Sequence, residues 1–327
     1  MASSKLFLDT ISQIEEKKLP PRLKREFFVC DENDKNAGPV IRVMQWNILA
    51  QALCHGSDNF ILCPKEALHW ENRNLRVIEE LLQYSPQILC LQEVDKFEFV
   101  KENLGKVGYE GIFFPKPDSP CLDFRHHTGP DGCAIFYAAD KVKLISQKCI
   151  VLEDDGYETN QVCVICTFGI IGNDHTPSFT VAVTHLKAKS GFEELRFSQG
   201  SYLLRYLEKM VESGPVIVCG DFNADPKEKV YAAFKASVLG LQSSYTYLSK
   251  TKSEPDYTTW KFRGSRRSPG GREESCKTID YIWHSKHFRP KGILKIPTGE
   301  DLGENKLPSL VFPSDHLSLV CDLQLTS

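Results

Sequence analysis

Along the chain, short apolar runs recur between polar stretches: Ile41–Leu49, Gln87–Val94, Gly132–Ala138, Gln161–Phe168, Phe179–Leu186, Pro215–Phe222, Ile279–His284 and Leu317–Leu325. Each has strand length and is rich in Val, Ile, Cys and aromatic residues, which suit a pleated, packed surface. Several are apolar throughout rather than alternating, as strands covered on both faces are. Two stretches have helical period instead. Glu71–Tyr84 lines up Leu75, Ile78, Leu81 and Leu82, and Phe192–Val211 lines up Leu195, Tyr202, Tyr206 and Met210. Strands alternating with helices and with one another predict an α/β architecture of sheets packed face to face, with helices outside.

The first forty residues read differently. Leu6, Phe7, Ile11 and Ile14 predict a short amphipathic helix ended by Pro20-Pro21, and Asp31–Pro39 reads as a polar linker. The expected division is an N-terminal extension over residues 1–39 and one large domain over residues 40–327. Gly264–Arg272, which carries Arg266 and Arg267, reads as a solvated surface loop.

The polar residues of interest stand at the ends of the apolar runs. Ile41–Trp46 ends in Asn47, Ile88–Gln92 in Glu93, Phe179–Thr184 in His185, and Pro215–Gly220 in Asp221 with Asn223 two residues on. Thr278-Ile279 leads into Asp280, and Asp315-His316 opens the last run. One such residue is an ordinary turn former. Six run ends with this chemistry predict convergence, because strand ends along one sheet edge meet in space. The set holds four carboxylates, two histidines and two carboxamides, without a serine or cysteine nucleophile beside a base. Hard carboxylate oxygens suit magnesium, with Glu93 the best ligand candidate and Asn47 beside it. Histidines next to carboxylates can be held as cations that donate to phosphate oxygens. An Asp-x-Asn can orient a water. Phosphoryl hydrolysis asks for positioning and charge neutralisation, and this inventory supplies both.

Composition narrows the picture only slightly. Of 327 residues, 41% are hydrophobic and 25% charged, with a formal net charge of -3. A domain built to coat nucleic acid is usually more basic. Among twelve cysteines, Cys90, Cys133, Cys163, Cys166, Cys219 and Cys321 sit inside apolar runs and are expected to be reduced core residues. Cys163 and Cys166 lie three apart in an extended run and should face opposite ways, which disfavours a structural zinc site. No apolar run approaches membrane-spanning length, and Met1–Leu8 lacks a signal-peptide core. The expectation is a monomeric cytoplasmic protein with no membrane partner, a mitochondrial isoform being conceivable through an upstream exon.

Taken in order, Gln45-Trp46-Asn47, Leu91-Gln92-Glu93-Val94, Thr184-His185-Leu186, Gly220-Asp221-Phe222-Asn223, Ile279-Asp280-Tyr281 and Ser314-Asp315-His316 closely resemble the motifs of the endonuclease/exonuclease/phosphatase superfamily. Any one motif is weak evidence, but six in the superfamily's order are specific. A closer resemblance, within its deadenylase-like branch, extends through Arg42–Leu53, Phe113–Pro117, Gly129–Ala134, His185–Lys189, Tyr257–Lys261, Tyr281–Trp283 and Pro313–Asp322. The resemblance implies a four-layer α/β sandwich of two packed mixed β-sheets flanked by helices. It implies that Glu93 binds Mg²⁺, with Asn47 and Asp315 assisting. It further implies that Asp221 orients or deprotonates the attacking water, that Asn223 and His185 stabilise phosphoryl charge, and that Asp280 keeps His316 a cation.

The group resembled most closely removes the 2′-phosphate of NADP⁺ and NADPH. By that likeness, Lys116, Lys187 and Lys189 form the pocket for the terminal phosphate, and Arg263 lies near the dinucleotide's other phosphates. Two positions depart from the pattern. Lys189 stands where arginine is usual, and lysine cannot make a two-pronged contact with phosphate. Asp118 stands where an aromatic residue is common. The alternatives are a 3′–5′ poly(A) exoribonuclease, which shares the metal centre and takes RNA, and a catalytically inert scaffold.

Overall fold

The fully apolar runs become strands covered on both sides. The structure is a computed structural model that describes residues 4–30, 38–55, 60–173, 176–212, 214–264 and 271–326. Among the described residues, one sheet holds β1 (Phe27–Val29), β2 (Val40–Asn47), β3 (Ile88–Gln92), β4 (Tyr109–Pro115), β5 (Gly132–Ala138), β14 (Phe288–Leu294) and β15 (Leu319–Leu325), in the order β1-β14-β15-β2-β3-β5-β4. A second holds β6 (Val142–Asp154), β7 (Tyr157–Ile170), β8 (Phe179–His185), β9 (Val216–Asp221), β10 (Gln242–Ser243) and β13 (Asp280–His284), in the order β10-β13-β9-β8-β7-β6. A separate hairpin pairs β11 (Thr259–Gly264) with β12 (Arg272–Lys277). The loop expected around Arg266 and Arg267 falls on residues 265–270, outside the described residues.

Each sheet is mixed. β2 runs parallel to β3, and β8 parallel to β9, while their other neighbours are antiparallel. Parallel neighbours need a crossover. Helix α3 (Trp70–Gln83) lies in the first crossover and α5 (Glu193–Val211) in the second. Short α2 (Lys65–Leu68) precedes α3, and α4 (Phe97–Gly105) follows β3.

The period of two in the strands sorts the cores. Met44, Trp46, Leu89, Leu91 and Phe136 pack with Val77, Ile78, Leu81 and Leu82 of α3 and with Val100 and Leu104 of α4. Their sequence neighbours Val43, Ile88, Cys90 and Ile135 point the other way, into a core shared with Val164, Cys166, Val183 and Cys219 of the second sheet. Cys163, Ile165, Ala182 and Val218 face outward onto Leu203, Leu204 and Leu207 of α5 and Phe234 of α6 (Lys229–Ala236). The four layers are helix, sheet, sheet, helix, as the resemblance implies. Gly200 allows the close approach of α5 and α6, because a Cβ there would lie 2.4 Å from Val230 Cγ2. Cys163 and Cys166 do face opposite cores, and none of the twelve cysteines is paired.

The N-terminal residues join the domain rather than hanging from it. α1 (Lys5–Glu16) is capped by Ser4, whose hydroxyl accepts from the Phe7 N–H at 3.2 Å, and it buries Phe7 in the core on α3. It stops at Glu16, with Lys18 at φ 53°, before the prolines expected to end it. β1 pairs with β14 at the edge of the first sheet. Arg25 donates from Nη1 to the Ser318 carbonyl at 2.8 Å and hydroxyl at 2.9 Å, and Ser318 donates to buried Glu80 at 2.5 Å.

Candidate active site

Strand register brings the polar run ends together. On the second sheet, His185, Asp221 and Asp280 occupy one rung across β8, β9 and β13. On the first, Asn47 pairs with Gln92, one residue before Glu93, and Leu319 pairs with Gln45, which sets Asp315 and His316 beside the end of β2. Parallel strands finish at this edge and antiparallel ones begin there, so all eight predicted catalytic and metal residues lie around one cleft between the sheets.

The contacts are specific. Asn47 Nδ2 donates to Glu93 Oε1 and to Asp221 Oδ2, each at 3.0 Å, and so joins the two sheets. The other Glu93 oxygen accepts from the Ala50 N–H at 3.1 Å. Asp280 receives His316 Nδ1 at 2.9 Å and the Thr258 hydroxyl at 2.6 Å. That fixes the imidazole with Nε2 3.7 Å from Asp221 and 3.8 Å from Asp315. Asn223 N–H donates to Asp221 Oδ1 at 2.9 Å, and its amide donates to the Leu186 carbonyl at 3.1 Å and to His185 Nε2 at 3.0 Å. Glu93 and Asn223 hold positive φ of 54° and 50°, a conformation that residues other than glycine seldom adopt and that clusters at functional sites.

The two histidines differ in charge. Burial opposes a charge on His316, but the carboxylates of Asp280, Asp221 and Asp315 outweigh it and raise the imidazole to about 9. Burial also pushes His185 well below its ordinary value, with Lys116 and His316 adding to the shift, so it is neutral near pH 7. Its Nε2 accepts from Asn223, which puts its proton on Nδ1. Phosphoryl charge therefore meets a neutral dipole at His185 rather than a cation. Burial raises the Asp221 carboxyl to about 7, with Asp280 adding and His316 and Asn47 opposing.

A divalent cation fits the donor set. Glu93, Asp221, Asp280 and Asp315 cluster in the cleft, and hard oxygens of this kind suit such an ion. Asp221, Asp280 and His316 bring ligand atoms within 4.8 Å of one another, but a protonated His316 has no lone pair to give. Glu93 with the neighbouring Asn47 carboxamide is the better cradle. Asp315, expected to assist the metal, forms a buried ion pair with Lys261. Burial opposes ionisation of Asp315, yet Lys261 and His316 hold its carboxyl well below the usual carboxylate range.

Of the expected substrate-binding residues, Lys116 is nearly enclosed and donates to Asp131 at 2.6 Å. Lys187 lies with Nζ 5.0 Å from the Phe192 ring centre, and Lys189 and Arg263 are exposed at the rim. Lys261 and Thr258 were given no role by sequence reading. The period of two through Thr259 and Lys261 was the available signal, since both side chains turn toward Asp315. Gln45 and Gln92, which exchange two amide hydrogen bonds at 2.7 Å beneath Asp280, carried no such signal.

The sequence model of the Endonuclease/Exonuclease/phosphatase family matches residues 44–316. Nocturnin of Homo sapiens is 48% identical over 312 residues, covering 94% of this chain and 70% of its own length. Nocturnin of Xenopus laevis is 49% identical, covering 93% of this chain and 77% of its own. A structure of the human Nocturnin catalytic domain with a bound sulfate anion superposes with a TM-score of 0.77 at 43% identity, covering 94% of this chain and all of that one. A Ccr4 3′-5′-exoribonuclease subunit of Debaryomyces hansenii is more distant, at 25% identity over 91% of this chain and 40% of its own. With its six motifs gathered in one cleft and more than nine-tenths of its length matched, the chain belongs to the endonuclease/exonuclease/phosphatase family and stands with the nocturnins within it.

Proposed function

We propose that this chain is a magnesium-dependent phosphatase that removes the 2′-phosphate of NADP⁺ and NADPH, releasing NAD⁺ or NADH. The observation that carries the reading is the pairing of a cationic His316 with an Asp221 poised near neutral pH, beside Glu93 and Asn47. Magnesium bound at Glu93 and Asn47 would polarise the phosphate and neutralise charge developing on it. Asp221, oriented by the Asn223 N–H, accepts the proton of the attacking water. The same proton balances the one that the departing 2′-oxygen requires. His316, held by Asp280, donates to the phosphoryl oxygens, and Asn223 holds Asp221 and His185 in place beside them. Lys116, Lys187 and Lys189 form the cationic wall that receives the dianion. The sulfate bound in the human Nocturnin domain supports a tetrahedral-anion site in this fold.

The distant likeness to Ccr4 exoribonucleases favours a second reading, removal of nucleotides from poly(A). One experiment separates them. Inorganic phosphate release from NADPH and shortening of labelled oligo(A) are measured side by side with magnesium, using wild type and Glu93→Ala. Phosphate released by wild type alone, with oligo(A) intact, is the expected result. Wild type no faster than Glu93→Ala on NADPH rejects the phosphatase reading, and shortened oligo(A) with intact NADPH favours the exoribonuclease.

A further inference from the structure

The loop that follows His185 carries two of the lysines assigned to the phosphate, and its backbone is held from beneath. The Leu186 N–H donates to the Asp221 carbonyl at 3.0 Å, and the Lys187 N–H donates to Gln199 Oε1 at 3.1 Å. Arg196, on the first turn of α5 and 2% exposed, donates from Nη1 to the Lys187 carbonyl at 3.0 Å and the Lys189 carbonyl at 2.8 Å. The other end of its guanidinium meets Glu228 through Nε at 2.8 Å and Nη2 at 2.9 Å, with Glu193 at 3.4 Å. Four of its five N–H donors are thus hydrogen-bonded, two of them to one short loop.

We propose that Arg196 is a positioning residue that sets Lys187 and Lys189 for phosphate; this rests on reading the cleft as a phosphate-ester site. Three observations support it. A planar fork fixes the angle between its acceptors, so the carbonyls at one end are referenced to Glu228 at the other. Lys189 holds φ at 82°, which side-chain-bearing residues rarely adopt and which persists only when surrounding contacts over-determine it. Turning that peptide over would take its neighbouring carbonyl away from Arg196. Gln199 extends the frame, donating to Gln161 at 2.7 Å and Thr159 at 3.1 Å. Between those two, Asn160 accepts from the Asp118 N–H at 2.8 Å, on the arm that carries Lys116. Both lysine arms are therefore referenced to the start of β7. Arg196 touches no substrate atom; its effect runs through the backbone of the loop.

The test uses the full chain with Arg196→Lys and Arg196→Gln. Lysine keeps the charge beside Glu228 but cannot reach two carbonyls and a carboxylate in one plane. The readouts are the Kd of inorganic phosphate by calorimetry, KM and kcat for NADPH, and the melting temperature. The expected result is a folded Arg196→Lys protein whose phosphate Kd and NADPH KM rise by about tenfold or more, since small misplacements of binding groups have effects of this size, with kcat reduced less. Values within twofold of wild type in either folded variant overturn the proposal, as does a loss confined to kcat. If neither variant folds, Arg196 is a core ion pair and the proposal is withdrawn. Wild type that binds phosphate but leaves NADPH untouched defeats the dinucleotide reading alone, and a loss of phosphate binding in the variants then still supports the clamp. Wild type that binds no phosphate defeats both.

Discussion

At the scale of single residues, Asp280 decides whether His316 carries a charge. Replacing its carboxylate by a carboxamide keeps the shape and removes the strongest attraction that holds the proton on the imidazole. Asp280→Asn should lower kcat for NADPH on the order of 10²- to 10³-fold, the range for losing one charge-stabilising donor, with KM little changed. Steady-state kinetics at pH 7.5 checks this, and a loss under tenfold would count against a cationic His316. The wild-type pH profile follows from the same two groups. Asp221 must be ionised to accept a proton, so activity rises through its pKa of about 7. His316 must keep its proton, so activity falls through about 9. At the rim, Lys189→Arg should lower the NADPH KM several-fold by restoring a two-pronged phosphate contact, and an unchanged or raised KM would refute that geometry. The eight catalytic and metal candidates were legible because each stands at, or within four residues of, a strand end. Lys261 and Arg196 were not, because a buried cation and a surface cation look alike in sequence until partners 54 and 32 residues away are placed.

At the scale of elements, the strands read correctly were those covered on both faces. β6 was missed because it lies at a sheet edge with Ser146–Ile150 facing largely outward, so its polar sequence resembles a loop. β4 and β14 were missed for a related reason: strands interrupted by Gly111 or Pro290 lack a clean period. α3 was read as an amphipathic helix, but its polar residues Arg73, Arg76, Glu79 and Glu80 are buried as well. Arg73, 1% exposed, donates to the carbonyls of Ile48, Leu49 and Pro313 at 2.8, 2.6 and 2.9 Å. It thereby ties the segments leaving Asn47 and approaching Asp315. Arg73→Met leaves those buried carbonyls without donors and should destabilise the protein by about 3 kcal/mol or more in urea titration. A loss below 1 kcal/mol would show that water or neighbouring groups replace the guanidinium.

At the scale of the whole molecule, the sandwich places its chemistry at one end and structural polar groups elsewhere. His284 ends β13 far along the strand from Asp280, is 1% exposed, and lies with Nδ1 3.0 Å from the Ser244 hydroxyl. Burial, with Lys252 adding, lowers it to about 4. The unfolded chain takes up a proton near 6.5 that the folded chain refuses until about 4, so stability is full above the first value and declines as pH falls toward the second. The difference corresponds to about 3 kcal/mol. His284→Gln should therefore lose less stability than wild type between pH 7 and pH 5, as read from urea midpoints; an equal loss would show that His284 does not stay neutral in the fold. The packing of the N-terminal residues was not legible in the sequence. Their short apolar stretches gave no hint that Arg25 reaches Ser318, two residues beyond His316.

One bond decides the assignment, the ester between the ribose 2′-oxygen and phosphorus. Phosphorus-31 NMR of NADPH incubated with the protein and magnesium follows it directly. The 2′-monoester signal should be lost and inorganic phosphate should appear at the same rate, while the diphosphate signals keep their full intensity, and Glu93→Ala should do none of this. Cleavage of the diphosphate, or an unchanged 2′-monoester under the same conditions, would contradict the assignment.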